Sequence, residues 1–267
     1  MKNEEIFARL WHQYIQDNPV AEKVHRALTT LGETVVNDHI AFRTFNDPRV
    51  NIAVLAKPFL QNGYRECETY EFPVKKLRAK HYEHDAPHAP KVFISELLLE
   101  KCSPALSHIV TTHLDKIPRA LLSQVELLFS GASWQPLSYA TYQTLLAESE
   151  YAAWMYAYGF RANHFTVNVN ALKSFKEMQA LNLFLEKNGF TLNAVGGKIK
   201  GSPQEYLEQS STLAETKYVL FDDKEVAIPS CYYEFAKRYP LANGKLFQGF
   251  VAASADKIFE STNTQKK

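Results

Sequence analysis

The chain has 267 residues, 46% of them hydrophobic by type, which is enough for a substantial core and short for two large domains. Thirty Lys and Arg stand against 29 Asp and Glu, and this balance excludes the basic surface of a nucleic-acid binder or of a protein held on anionic lipid. Three widely spaced cysteines, Cys67, Cys102 and Cys231, do not make a disulfide framework and are expected in a reducing compartment.

The N-terminal stretch MKNEEIFARLWHQY carries charge where a secretory leader needs an apolar run. It reads as an amphipathic helix with Ile6, Leu10 and Tyr14 on one stripe. Residues 4–31 are expected to be helical, broken at Asn18-Pro19 and stopped by Gly32. No apolar run approaches the roughly 20 residues of a membrane span. A cytoplasmic protein with neither a membrane nor a nucleic-acid partner is the expectation, and the oligomeric state is left open.

From residue 34 the period changes. TVVNDHIAFRTF alternates as a strand, and DPRVNIAVLAKPFLQNGY reads as a helix entered at Asp-Pro and stopped at Asn62-Gly63. YRECETYEF, LRAKHYEHD and KVFISELLLE follow as strands, giving the order β-α-β-β-β. Three segments then have helical periodicity: SPALSHIVTTHL, PRALLSQVELLFSG and LSYATYQTLLAESEYAAWMYAYG. At 161 a strand returns in RANHFTVNVNAL, followed by a helix that ends at Asn188-Gly189 and by further strands in FTLNAVGG, KIKGSPQEYLEQSSTLAE, TKYVLF and KEVAIPSCYYEFAKRY.

The halves match in element order. DHIAFRTF echoes NHFTVNVN, and each is followed by a helix stopped at Asn-Gly and an aromatic residue, Tyr64 or Phe190. The expected fold is α+β: two βαβββ modules curl their sheets around a shared cleft, within one domain. The expected divisions are N-terminal helices over 1–33, a first module over 34–102, a helical insert over 103–159, a second module over 160–254 and a frayed tail over 255–267.

Alternation puts His39, Ala41 and Arg43 on one face of the first strand and Ile40 and Phe42 on the other. The second half repeats this, with His164, Thr166 and Asn168 opposite Phe165 and Val167. Glu234 stands between Tyr233 and Phe235, and a carboxylate in such a strand is costly to bury without a partner. Two imidazoles and one carboxylate satisfy each other through a divalent cation, the arrangement of non-haem Fe(II) oxygenases. His39 and Arg43 have Cα atoms about 13 Å apart, so their side chains reach the two ends of a small dianion. Each residue also has a plainer reading: a hydrogen-bonded His, an edge Glu, a solvated or ion-paired Arg.

Other polar groups are weaker candidates. Glu96 in FISELLLE takes the first-module place that resembles Glu234 and is expected as a relic ligand or an acceptor behind the site. Gln209, Ser210 and Ser211 offer amide and hydroxyl contacts or a helix cap, and Thr166 and Tyr233 are candidate cleft residues. HYEHDAPHAP, with His81, His84 and His88, is rich in His but lacks the helix that would align ligands, and is expected as a loop over the cleft. His108 and His113 read as ordinary residues of the insert, and Gly196-Gly197 has neither phosphate-loop spacing and reads as a turn near the substrate.

DHIAFRTF, NHFTVNV and YYEFAKR together resemble the 2-oxoadipate dioxygenase/decarboxylase family of the vicinal oxygen chelate superfamily, over roughly residues 5–250. The resemblance implies a mononuclear Fe(II) held by His39, His164 and Glu234, with Arg43 gripping the substrate. It implies conversion of 2-oxoadipate and O2 to 2-hydroxyglutarate and CO2 in lysine catabolism. The 2-oxo acid would chelate the metal through its carboxylate and keto oxygen, and the shortened substrate would be hydroxylated. The residues alone leave open Zn, Mn or Ni with hydrolase, lyase or isomerase chemistry, or a non-catalytic small-acid binding protein.

Overall fold

A computed structural model of the chain describes residues 1–122 and 124–251. The tail expected to fray lies outside them. Helix α1 (Asn3–Asp17) buries Ile6, Leu10 and Tyr14 on one stripe. Asn18 then ends it and begins α2 (Pro19–Thr30), with Pro19 in the first turn where no N–H is needed. The Asn18 side chain is buried; it donates to the Tyr14 carbonyl and accepts from the Cys231 N–H, tying this break to the far end of the chain.

The first half runs β1 (Asn37–Phe45), α3 (Ile52–Gln61), β2 (Arg65–Phe72), β3 (Leu77–Glu83) and β4 (Lys91–Leu97). The helix α3 is entered at Asn51, whose side chain accepts from the Val54 N–H, rather than at Asp47. Asp47 instead binds the Arg49 guanidinium. Next come α4 (Pro104–Leu114), α5 (Tyr139–Glu148) and α6 (Glu150–Tyr158). Among its described residues the stretch PRALLSQVELLFSG forms no α-helix; its regular part is a 3-10 turn at Val125–Phe129. Its consecutive buried residues Leu127, Leu128 and Phe129 are held by tertiary contacts, including a bond from the Gln13 amide to the Phe129 carbonyl. Helix α6 buries every residue from Tyr151 to Tyr158, so it is enclosed on all sides rather than amphipathic.

The second half runs β5 (Ala162–Asn168), α7 (Met178–Lys187), β6 (Lys200–Ser202), β7 (Leu207–Ser211) and β10 (Glu234–Arg238). TKYVLF and KEVAIP form β8 (Thr216–Leu220) and β9 (Glu225–Pro229), which among the described residues pair only with each other. FTLNAVGG forms no strand beyond a single bridge from Leu192 to Thr212.

One eight-stranded sheet contains both halves in the order β2-β3-β4-β1-β5-β10-β7-β6. In each half the first strand is parallel to the last, β1 with β4 and β5 with β10. The seam is the antiparallel pair β1–β5, where His39 lies opposite Thr166 and Ala41 opposite His164. A local two-fold between these pairs maps His39 onto His164, which is the internal repeat read from the sequence. Both module helices end at a left-handed glycine, Gly63 and Gly189.

Helices cover the outer face of this sheet. Phe42 packs on Phe59 of α3, Phe165 on Trp11 of α1, and Ser210 bonds Asn182 of α7. The inner face, curled by the strand twist, carries the polar residues and is closed at one end by α6. Among the described residues no helix is long and apolar enough to cross a membrane.

Gly159 joins α6 to β5 at a positive φ, and a Cβ there would lie 2.1 Å from the Gly131 carbonyl oxygen. Gly131 and Phe160 exchange two backbone hydrogen bonds at this contact. Gly159→Ala is therefore expected to cost about 3 kcal/mol or more, read as a lowered thermal midpoint.

Candidate metal centre

The seam brings two histidines together because each sits on the inner face of the first strand of its module. β10, parallel to β5, adds Glu234 directly opposite Thr166. Nε2 of His39 lies 3.6 Å from one Glu234 oxygen, and Nε2 of His164 lies 3.4 Å from the other. The three ligand atoms fall within 4.8 Å of one another, and all three side chains are buried.

The other nitrogen of each ring is tied to the residue just before it. His39 Nδ1 is 2.8 Å from Asp38 Oδ1, and His164 Nδ1 is 2.9 Å from Asn163 Oδ1. These oxygens accept, so each Nδ1 carries the proton and each Nε2 presents a bare lone pair. Burial lowers the pKa of His39 against the opposing pull of Asp38. Burial also lowers that of His164 well below the usual value, helped by His39 and Arg43. Both rings are thus neutral and directed at a carboxylate. Burial pushes that carboxyl up to about 8, although a 2.6 Å bond from the Gln209 amide holds its charged form. Without a metal this carboxyl mostly keeps its proton at neutral pH; ionised, it would face two lone pairs in a dry interior and be repelled unless a cation lay between them. The donor set fits a divalent metal of the two-His, one-carboxylate kind.

Asp38 is fixed from behind. Arg238 binds both its oxygens, at 2.7 and 2.9 Å, and also donates to the carbonyls of Phe247 and Gly249. Burial raises the Asp38 carboxyl, but Arg238 and the His39 bond outweigh it and hold it far below the ordinary range. Asp38→Asn keeps an acceptor for His39 but loses the charge that Arg238 grips. Metal affinity is expected to fall about 10–100-fold, measured by metal titration, together with a lowered thermal midpoint, since the buried Arg238 loses its partner charge.

Arg43 lies at the other end of the inner face. Its guanidinium packs 4.9 Å over the Tyr151 ring and 5.0 Å over Trp154, and one nitrogen is 3.3 Å from Glu150. A cavity of about 200 Å³ opens beside it, bordered by Lys75, Lys76, Glu148 and Glu150.

Relatives narrow the readings that the residues left open. The 2-oxoadipate dioxygenase/decarboxylase family matches residues 7–247. The chain belongs to that family. The rice (Oryza sativa subsp. japonica) 2-oxoadipate dioxygenase/decarboxylase, named as chloroplastic/amyloplastic, is 34% identical over 98% of this chain and 79% of its own length. The structure of hydroxyglutarate synthase from Oryza sativa in complex with 2-oxoadipate is 32% identical, with a TM-score of 0.91, over 98% of this chain and 92% of that one. A structure from Shewanella frigidimarina NCIMB 400, described provisionally as a hydrolase, is 51% identical with a TM-score of 0.90, over 94% and 98%.

Within this dioxygenase/decarboxylase fold, the remaining candidates separate by strand face. Thr166 faces inward, its hydroxyl 3.1 Å from His39 Nε2. Gln209 and Ser211 alternate onto the same face, Ser211 directly opposite Glu234. Glu96 does not. It lies on the outer face, where it accepts from the Ile52 N–H at the start of α3 and pairs with Arg78. The register makes Phe93, opposite Ala41, the first-module counterpart of Glu234. Tyr233 also faces outward, against Trp11 and Phe235. Ser210 faces the same way.

The segment 81–88 is not simply a loop over the cleft. His81 is a buried strand residue of β3, bonded to the Tyr70 hydroxyl and to Glu83. The ring that lies against His39, at 4.8 Å, belongs to Phe250. His108 and His113 stay in α4, and Gly196-Gly197 is an exposed turn. Sequence reading missed Asp38, Asn163, Arg238, Tyr232 and Phe250. The first three were visible as an Asx before each His and as the last residue of EFAKR. Phe250 carries no such local signal.

Proposed function

We propose that this chain is an Fe(II)-dependent dioxygenase/decarboxylase that converts 2-oxoadipate, or a 2-oxo dicarboxylic acid like it, to 2-hydroxyglutarate and CO2. The observation that carries the reading is the convergence of two neutral imidazole Nε2 atoms on the buried Glu234 carboxylate. Family membership favours O2 chemistry with a 2-oxo acid over hydrolysis. His39, His164 and Glu234 would hold the metal, leaving positions for the 2-oxo acid and O2. Bound Fe(II) supplies redox electrons and open coordination sites for O2 activation.

The protein's own contributions are orientation and exclusion of water. Asp38 and Asn163 keep both imidazoles in the ligand tautomer. Arg43, stacked between aromatic rings, presents a fixed fork to the remote carboxylate. Phe250 and Tyr232 flank the two histidine rings and keep bulk water away. Overall, 2-oxoadipate and O2 give 2-hydroxyglutarate and CO2, one oxygen atom entering the new carboxylate and the other the hydroxyl group.

Anaerobic loading with Fe(II), followed by O2 uptake and CO2 release over a panel of 2-oxo acids, tests this. One O2 consumed per CO2 released with 2-oxoadipate is expected. Turnover without O2, or with Zn, Mn or Ni in place of iron, would move the chain to lyase, isomerase or hydrolase chemistry on the same fold.

A further inference from the structure

We propose that the Tyr232 hydroxyl donates a hydrogen bond to the remote carboxylate of the bound 2-oxo acid, beside Arg43, and so favours dicarboxylic over monocarboxylic substrates. The inference rests on the substrate class proposed above and assigns a specificity residue within it.

Tyr232 is fully buried, and its hydroxyl has no hydrogen-bond partner among the described residues. Buried hydroxyls are rarely left so, because each gives up its bonds to water without replacement. The side chain is pinned. Its ring stacks on the His164 imidazole at 4.8 Å and 26°, and its backbone carbonyl accepts from the Tyr14 hydroxyl. The hydroxyl therefore cannot swing out to solvent without breaking the stack.

The stack on His164 puts the ring at the metal centre. Glu234, Arg43 and Glu150 all act on the Tyr232 hydroxyl, and Tyr232 acts in turn on the Arg43 guanidinium. The adjacent Tyr233 is a built-in comparison. Its hydroxyl is also buried with no partner among the described residues, but its ring lies among Trp11 and Phe235 on the helix side. Of the two, only Tyr232 has its ring against a histidine of the metal centre and its hydroxyl within electrostatic reach of Arg43. Glu234 already accepts from Gln209, and Glu150 already faces Arg43. The acceptor that suits Tyr232 is a carboxylate brought in by the ligand, at the Arg43 end. If only stacking on His164 were needed, a phenylalanine would serve.

Tyr232→Phe tests this, since it keeps the ring and removes one oxygen. In metal-loaded protein, KM for 2-oxoadipate is expected to rise about 10–100-fold, the worth of one hydrogen bond to a charged group. kcat is expected to stay within about threefold, and KM for 2-oxohexanoate, which lacks the second carboxylate, to stay unchanged. Metal stoichiometry should equal that of the parent. Unchanged KM for 2-oxoadipate overturns the inference alone, as does an equal loss of kcat on both acids, which would put the hydroxyl at the reacting end. A parent protein that uses 2-oxohexanoate but not 2-oxoadipate overturns the substrate assignment, and this inference with it.

Discussion

Glu234→Ala is expected to abolish stoichiometric metal binding and to reduce turnover by about a thousandfold or more, since the metal carries the chemistry. Metal analysis of protein loaded under anaerobic conditions reads the first effect, and O2 uptake the second. His39→Ala and His164→Ala should act alike, because each removes one of three donors that lie within 4.8 Å of one another. Stability separates this reading from a structural one. A His–Glu–His cluster that merely held the fold together would make every such variant less stable. Here the metal-free carboxylate is buried and resists ionisation, its pKa pushed up to about 8. Glu234→Gln in metal-free protein is therefore expected to melt at or above the parent temperature at neutral pH, because the amide is neutral already, whereas the carboxyl, ionised in the unfolded chain, must take up a proton to be buried. A clear drop in the melting temperature of metal-free Glu234→Gln would count against a cation site.

Arg43→Ala is the second large effect. Loss of a bidentate guanidinium–carboxylate pair is expected to weaken binding of a 2-oxo dicarboxylic acid by about 10²–10³-fold, with metal occupancy unchanged. Titration of metal-loaded protein with 2-oxoadipate gives the number. Arg43→Lys should not rescue it, because an ammonium keeps the charge but loses the planar fork that stacks between Tyr151 and Trp154. Arg43→Ala also leaves Glu150 facing an emptied space, so part of any loss will be one of stability. Arg43→Ala combined with Glu150→Gln removes that second effect. Equal substrate affinity in the double variant and the parent would show that Arg43 serves only its ion pair.

The site was legible where it follows from strand alternation. His39 and Arg43 share a face because they are four residues apart, and His164 repeats the pattern because the module repeats. The same rule, applied to YYEF, places Tyr232 and Glu234 inward and Tyr233 and Phe235 outward, so Tyr233 was a candidate that alternation itself argues against. Glu96 failed for another reason. Its match to Glu234 was one of local composition, whereas strand register puts Phe93 at the equivalent place. Register is a relation between strands distant in sequence, and neither strand contains it.

Helices divided the same way. The amphipathic stripe of α1 is visible in Ile6, Leu10 and Tyr14, because burial on one side leaves a period in the sequence. PRALLSQVELLFSG has apolar residues enough for a helix, but its burial comes from contacts on several sides, which leave no period to read. TKYVLF and KEVAIP alternate well enough as strands, yet they form a separate hairpin, since period says that a segment is extended and not which partner it takes.

By itself, then, the sequence determined the paired β-α-β modules, the inward direction of His39, Arg43 and His164, and the family likeness that these residues carry. Only the tertiary structure decided that Glu234 reaches both imidazoles, that Arg238 braces Asp38 from 200 positions away, and that Phe250 lies against His39. The physical reason is one of range. Backbone geometry fixes which way a side chain leaves its own strand, but which groups it meets there depends on pairing and closure between segments far apart along the chain.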